Sequence, residues 1–138
     1  MWIQKIIQIK SSKRGVSLIT NKILFEVPEI KNIKTGMMNI FLKHTSASIT
    51  INENVSSDVR RDLNKYLDKI APENFNYEHS FEGNDDMPAH LKSSLIGVSI
   101  NIPISNGNLE LGTWQGIYLC EHRNNPGTRN IIITIHGE

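Results

Sequence analysis

Apolar and polar residues alternate with a period of two along most of this chain. Ala47, Ile49 and Ile51 are interleaved with Ser46, Ser48, Thr50 and Asn52; Val98, Ile100, Ile102 and Ile104 are interleaved with Ser99, Asn101, Pro103 and Ser105. That spacing turns apolar side chains to one face of a strand, so both segments are expected as half-buried strands of an antiparallel sheet. Weaker strand patterns cover Ile3 to Ile9, Met37 to Lys43, Gln115 to Glu121 and Asn130 to Ile135. Pro103 has no N–H for a ladder, which points to a free edge or a bulge at that position. Asn106-Gly107, between Ile104 and Leu109, is a tight hairpin signal.

Two segments change to helical spacing. Val59, Leu63, Tyr66, Leu67 and Ile70 recur every three or four residues, with Ser56 or Ser57 as cap and Pro72 beyond the end. A shorter helix is expected from about Met87 to Ile96, with Asp85 or Asp86 as cap, Pro88 in its first turn and Gly97 after it. Val16 to Ile33 is ambiguous: Thr20 could cap a helix carrying Ile23, Leu24 and Val27, but Pro28 interrupts the pattern. Ala71 to Asp86 is the one long irregular stretch. Its aromatics Tyr77 and Phe81 favour an ordered site loop over a disordered one.

Composition narrows the function classes. With 15 basic and 14 acidic residues the net charge is +1, which gives no reason to expect nucleic acid or an anionic membrane as partner. No apolar run approaches the roughly 20 residues of a membrane span, and the alternating N-terminus does not read as a signal peptide. The single cysteine, Cys120, excludes an internal disulfide and a cysteine zinc cluster; it alternates within a strand and is read as packing. A cytoplasmic protein is expected, as one domain over residues 1–138.

The candidate chemistry is scattered. His44 ends a strand and is followed by Thr45, Ser46 and Ser48; the hydroxyls either line a pocket or form the polar outer face of a sheet. His79 sits in the long loop and His90 near the start of the second helix. Three imidazoles with one open position make a recognised zinc site, although each histidine alone is more often a surface or hydrogen-bonding residue. Asn52 and Glu53 precede the first helix as loop, cap or site. Asn84-Asp85-Asp86 is either a hard-cation site or a turn with a helix cap. Arg123 and Arg129 flank a turn and suit phosphate, with Glu121 placed to orient one of them, unless they are a solvated hairpin tip. Leu111-Gly112-Thr113-Trp114-Gln115-Gly116-Ile117 forms an elaborate corner whose Trp114 and Gln115 read as a pocket wall. No glycine-rich phosphate loop and no Gly-x-Ser-x-Gly elbow occurs.

Several segments together resemble the YjbQ, or secondary thiamine-phosphate synthase, family. They are His44-Thr45-Ser46-Ala47-Ser48 with Ile51-Asn52-Glu53-Asn54, Asp58 to Leu63, Tyr77-Glu78-His79, Gly83-Asn84, Ala89-His90-Leu91-Lys92, Leu111 to Ile117, then Glu121, Arg123, Arg129 and Gly137-Glu138. The ordered set covers essentially the whole chain and departs from the family pattern at Pro28 and at Asp86-Met87-Pro88. The resemblance implies an α+β domain with antiparallel sheets, assembled as a homotrimer. With the strand and helix patterns, the expected core is sandwich-like, with two or three helices. It also implies an activity joining a pyrimidine pyrophosphate to thiazole phosphate, regarded as secondary. On this basis His44, His79 and His90 are expected to hold a divalent metal, zinc or magnesium, or to act as acid and base with Glu121. Ser46, Asn52, Glu53, Asn84, Trp114, Gln115, Arg123 and Arg129 are expected to bind a phosphorylated substrate. The competing readings are a metal-dependent hydrolase of a phosphorylated metabolite and a non-catalytic trimeric ligand-binding module.

Overall fold

The computed structural model describes all 138 residues. In chain order the elements are β1 (Trp2–Lys10), β2 (Gly15–Leu18), α1 (Thr20–Glu26), a 3-10 turn (Pro28–Asn32), β3 (Thr35–Leu42), β4 (Ala47–Glu53), α2 (Ser57–Ile70), α3 (Asp86–Ile96), β5 (Ser99–Ser105), β6 (Asn108–Leu109), β7 (Gln115–Glu121) and β8 (Thr128–Gly137). The fold is α+β, with two antiparallel sheets ordered β1-β8-β3-β5-β6 and β2-β7-β4. No helix is long and apolar enough to cross a membrane.

Alternation builds the space between the sheets. Met38, Ile40 and Leu42 of β3, Ile131, Ile133 and Ile135 of β8, and Ile102 and Ile104 of β5 point inward. They meet Ala47 and Ile49 of β4 and Ile117 and Leu119 of β7 in one cluster of 19 buried side chains. The ambiguous segment Val16 to Ile33 divides three ways. β2 pairs with β7, α1 buries Ile23, and Pro28 ends the helix by opening the 3-10 turn that buries Ile30. Thr20 does not cap α1; its Oγ1 accepts the Ile117 N–H at 2.9 Å and so ties the helix to β7.

Two turn-chemistry expectations hold for local reasons. Asn106 and Gly107 both have positive φ, 48° and 77°, as a two-residue hairpin of the primed type requires. The Pro103 carbonyl accepts the Glu110 N–H at 2.9 Å, towards the β6 side. In an extended strand a residue's N and O point the same way, so the missing N–H also faces that edge, which only two-residue β6 covers.

The three-stranded sheet has a second face that is also closed. Ser48, Tyr118 and Cys120 are at most 2% exposed there. Helix α3 lies against it, with the Ser93 hydroxyl donating to the Ala47 carbonyl at 2.7 Å. The polar residue Ser48 on β4 is therefore neither outer surface nor ligand pocket but filling between sheet and helix. Helix α2 buries none of its residues. It is held by ion pairs at Asp68, which receives buried Lys92 of α3 at 2.6 Å and Arg14 at 3.1 Å.

Strand spacing leaves no room for a side chain where Gly36 of β3 meets Gly137 of β8. A Cβ at Gly36 would stand 2.5 Å from the His136 carbonyl oxygen and 2.8 Å from Ile33 Cγ2. Backbone cannot yield as a flexible side chain does, so Gly36→Ala is expected to cost about 1–3 kcal/mol, read as a lowered urea midpoint. An unchanged midpoint would show that the ladder there is not rigid.

Candidate functional site

Asp86 organises the most densely connected polar group in the molecule. It is the first residue of α3 and is 2% exposed. Its Oδ2 lies 2.7 Å from His79 Nε2 and 3.0 Å from His90 Nε2, while its Oδ1 accepts from Arg123 Nη1 at 2.5 Å. Neighbouring Asp85 accepts from Arg123 Nε at 3.0 Å and from the Asn124 N–H at 2.8 Å. The third nitrogen of that guanidinium, Nη2, donates to the Glu82 carbonyl at 2.8 Å. Burial opposes ionisation of Asp86, but the His79 hydrogen bond, the charge of His90, Glu82 and Arg123 together hold its carboxyl below the usual range. Asp85 is lowered in the same way, burial being outweighed by the Asn124 amide and Arg123. Neither side chain caps α3. The cap expectation fails because both carboxylates are taken by Arg123, with Asn124 on Asp85 and the two imidazoles on Asp86.

His90 carries the chemical information. Its Nδ1 lies 2.7 Å from the Thr45 carbonyl oxygen, which can only accept, so Nδ1 bears a hydrogen. In the neutral imidazole Nε2 is then a lone pair, and it faces a carboxylate oxygen 3.0 Å away. Two acceptors at that distance require something positive between them, a second proton or a metal ion. A backbone carbonyl holding the far nitrogen of a histidine is also the usual support of a metal ligand. His79, Asp86 and His90 offer ligand atoms all within 4.8 Å of one another.

His44 stands apart from this group. Its Nε2 accepts the Asn130 N–H at 2.7 Å, which leaves the proton on Nδ1. Burial, Arg129 and Lys43 lower its pKa against the pull of Glu121. The structure thus gathers two of the three expected histidines, with Asp86 in the place expected for His44. The side-chain positions of His79 and His90, 41% and 30% exposed, leave the cluster open to solvent.

Glu121 and the arginines serve one another. Arg129 Nε and Nη2 meet Glu121 Oε1 and Oε2 at 2.6 and 2.5 Å, and Nη2 also reaches the Ser46 carbonyl at 3.2 Å. Glu121 Oε2 further accepts the Arg123 N–H at 3.1 Å. Both side chains of the Arg129–Glu121 pair are under a tenth exposed. Neither arginine presents a free fork to a phosphate, since Arg129 is spent on Glu121 and Arg123 on Asp85, Asp86 and the loop.

The remaining expected residues divide between surface and scaffold. The Asn52 Oδ1 accepts the Glu53 N–H, and the Glu53 carboxylate accepts the Val55 and Ser56 N–H groups at the entry to α2. Gln115 closes the glycine corner by accepting the Gly112 N–H at 2.8 Å, and Asn54 donates to the Thr113 and Gln115 carbonyls. Trp114 projects 64% exposed from that corner. Asn84 is exposed and lines, with Tyr77, His79 and Ser80, a 240 Å³ cleft on one side of the cluster. A 620 Å³ cleft on the other side is lined by His44, Thr45, His90, Ser93 and Ser94. A third concavity, 720 Å³, is walled entirely by α2 residues such as Val59, Leu63 and Tyr66 and is a helix face rather than a chemical site.

One further pair was not foreseen. Ser48 Oγ and His122 Nε2 are 2.9 Å apart, the spacing of a nucleophile and its base. They are 0% and 1% exposed, so no substrate reaches them. Cys120, beside them, has its thiol pKa pushed up to about 11 by burial and is unreactive packing.

Comparison with known proteins follows the same lines. The model of the family described as UPF0047 protein YjbQ-like matches residues 5–138. The chain is 44% identical to UPF0047 protein YjbQ of Escherichia coli O157:H7 and 47% identical to that of Salmonella typhimurium, each over 138 residues and the full length of both chains. Among solved structures it is similar to a YjbQ/UPF0047 family protein of Clostridium acetobutylicum at 41% identity and a TM-score of 0.86, covering 96% of this chain and 99% of the other.

The buried histidine makes acid stability a test of the packing. Burial, then the charges of Lys92 and Arg129, lower the His122 pKa from 6.5 to about 3. The unfolded chain binds a proton near pH 6.5 that the folded chain refuses until about pH 3. Stability present above pH 6.5 is therefore lost as pH falls through that window, with a slope of up to about 1.4 kcal/mol per pH unit. Urea titrations from pH 7 to 4 should show a shallower fall for His122→Gln than for the unchanged protein. Equal slopes would mean His122 is not held neutral.

Proposed function

The chain belongs to the YjbQ-like UPF0047 family, and from that premise we propose that it is a metal-dependent enzyme acting on a phosphorylated small molecule, with thiamine phosphate synthesis as a secondary activity. The observation that carries the reading is the shared Asp86 oxygen: two imidazole nitrogens face it, one of them from a histidine whose other nitrogen is committed to a backbone carbonyl. Two nitrogens and one carboxylate oxygen favour zinc or a similar ion over magnesium, which prefers an all-oxygen shell. His79, Asp86 and His90 would hold the ion, and Arg123 would orient Asp86 through its other oxygen. Bound there, the ion would supply positive charge for a phosphate or a departing pyrophosphate, a charge that Arg123 and Arg129, both committed to carboxylates, do not offer.

The residues around the ion have distinct tasks in this scheme. His44, with its proton on Nδ1, and Ser94 both line the larger cleft and would offer donors to a substrate there. Asn84 and Ser80 offer polar contacts in the smaller cleft. Hydrolysis of a phosphorylated metabolite by water is the competing reaction for the same residues, and the solvent access of both imidazoles supports it. Assembly as a homotrimer and a cytoplasmic location belong to the same reading. The uncovered apolar residues Tyr66 and Ile70 of α2, and Val55 in the turn before it, each more than half exposed, support association between copies.

Protein produced without an affinity tag should contain about one divalent ion per chain by elemental analysis. Asp86→Asn and His90→Ala should each lose the ion. With the pyrimidine pyrophosphate and thiazole phosphate as substrates, turnover should fall at least 100-fold in both variants and on chelation. His44→Ala should keep the ion. Full turnover in metal-free protein would refute the proposal; release of inorganic phosphate from phosphate esters, without thiamine phosphate, would favour the hydrolase.

A further inference from the structure

Three ligand atoms leave at least one position of a zinc-like ion unfilled, and one side chain stands beside that opening. Glu82 Oε2 lies 3.9 Å from His79 Nε2, with its side chain 65% exposed. It falls outside the group of ligand atoms within 4.8 Å of one another. Donor atoms around a tetrahedral ion with bonds near 2.1 Å are separated by roughly 3.4 Å. His79 and His90, at 2.7 and 3.0 Å from Asp86 Oδ2, would open slightly around such an ion, and Glu82 would close in.

The backbone at this point is fixed while the side chain is not. The Glu82 carbonyl accepts from Arg123 Nη2 at 2.8 Å, and Gly83 turns the chain at φ 103° towards the Asp86 N–H, which donates to the Gly83 carbonyl at 3.3 Å. The guanidinium that holds the Glu82 backbone also holds both Asp85 and Asp86, so the carboxylate is delivered to the cluster from a rigid base. A rotation about its own side-chain bonds moves a glutamate carboxylate by ångströms. A second carboxylate next to Asp86 is unfavourable by like-charge repulsion unless a cation lies between them. Glu78, exposed in the same loop just before His79, is a second carboxylate of the same type and offers a control.

We propose that Glu82 is the exchangeable fourth ligand of the ion, closing the site at rest and giving way to an anionic oxygen of the substrate. The proposal rests on the metal reading of His79, Asp86 and His90. It gives Glu82 a place in the site that those three residues alone do not imply. Exchange at Glu82 admits substrate without loss of the ion, because the two imidazoles and Asp86 remain.

Cobalt serves as the probe, since its visible spectrum reports the ligand set. Metal-free full-length protein, Glu82→Gln and Glu78→Gln would be titrated with Co²⁺ against a chelator. Circular dichroism would check that each variant is folded. Glu82→Gln should bind Co²⁺ at least about tenfold more weakly with a shifted visible band, and Glu78→Gln should match the unchanged protein. Inorganic phosphate should perturb the band at lower concentration in Glu82→Gln, where the competing carboxylate is gone. If the unchanged protein binds Co²⁺ and Glu82→Gln has the same affinity, band and phosphate response, the fourth-ligand role is overturned while the three-residue site stands. If the unchanged protein binds no Co²⁺, the metal reading itself fails, and this inference with it.

Discussion

A carboxylate taken out of water must be met by positive charge or hydrogen-bond donors, and the site of this molecule is arranged around how Asp86 meets that demand. Removing one partner from such a group typically costs 3–5 kcal/mol, so every element that contributes one is held in place. Arg123 arrives from beyond β7, His79 from the loop after α2, and His90 from one turn along α3. The position of α3 follows in turn from the three-stranded sheet, whose Ala47 carbonyl is bonded by Ser93. Site and fold therefore share their constraints.

The two arginines show how charge is divided across this region. Arg129 and Glu121 form a buried two-pronged pair that fastens the start of β8 to the end of β7, and the Ser46 carbonyl joins them at the approach to β4. Arg123, two residues beyond Glu121, faces the loop instead and bridges Asp85, Asp86 and the Glu82 carbonyl. One pair closes the end of a sheet; the other sets the entrance of a helix. Both depend on the direction taken by the chain at Glu121, whose Oε2 accepts the Arg123 N–H.

Most elements were legible because burial on one face imposes a period. The strands around Ile49, Ile102 and Ile133 and the helix ending at Ile70 lie within a few residues of their expected limits. The site was less legible, for a physical reason. Asp85-Asp86 before a helix looks like a cap because capping is local, and nothing in the neighbouring residues announces that an arginine 37 positions away will take the carboxylates. His44 has the same neighbours whether it binds an ion or accepts a backbone amide; the choice lies with Asn130, across the sheet. Spacing did carry one signal that was missed: Asp86 and His90 are four apart on one helix, which places them on one face. The Gly112-Thr113-Trp114-Gln115 corner was conspicuous for a different reason. Its amides are used to close the turn itself, leaving Trp114 at the surface.

The two imidazoles come from segments of unequal intrinsic stability, and this sets what the loop must do. His90 lies on a helix packed against a sheet, whereas His79 lies in an irregular stretch that would lose considerable conformational entropy on being fixed. The loop is tied at intervals that offset this cost. Glu73 meets Arg14 at 3.4 Å, the Tyr77 hydroxyl donates to the Pro72 carbonyl at 2.7 Å, Phe75 and Tyr77 pack at 4.9 Å, and Arg123 holds Glu82 and Asp85. Arg14 also binds Asp68, the residue that receives Lys92 two positions from His90. The same ion-pair chain thus fixes the root of the loop and the middle of α3. His79 and His90 are brought to one oxygen by a frame of the chain's own ion pairs and hydrogen bonds.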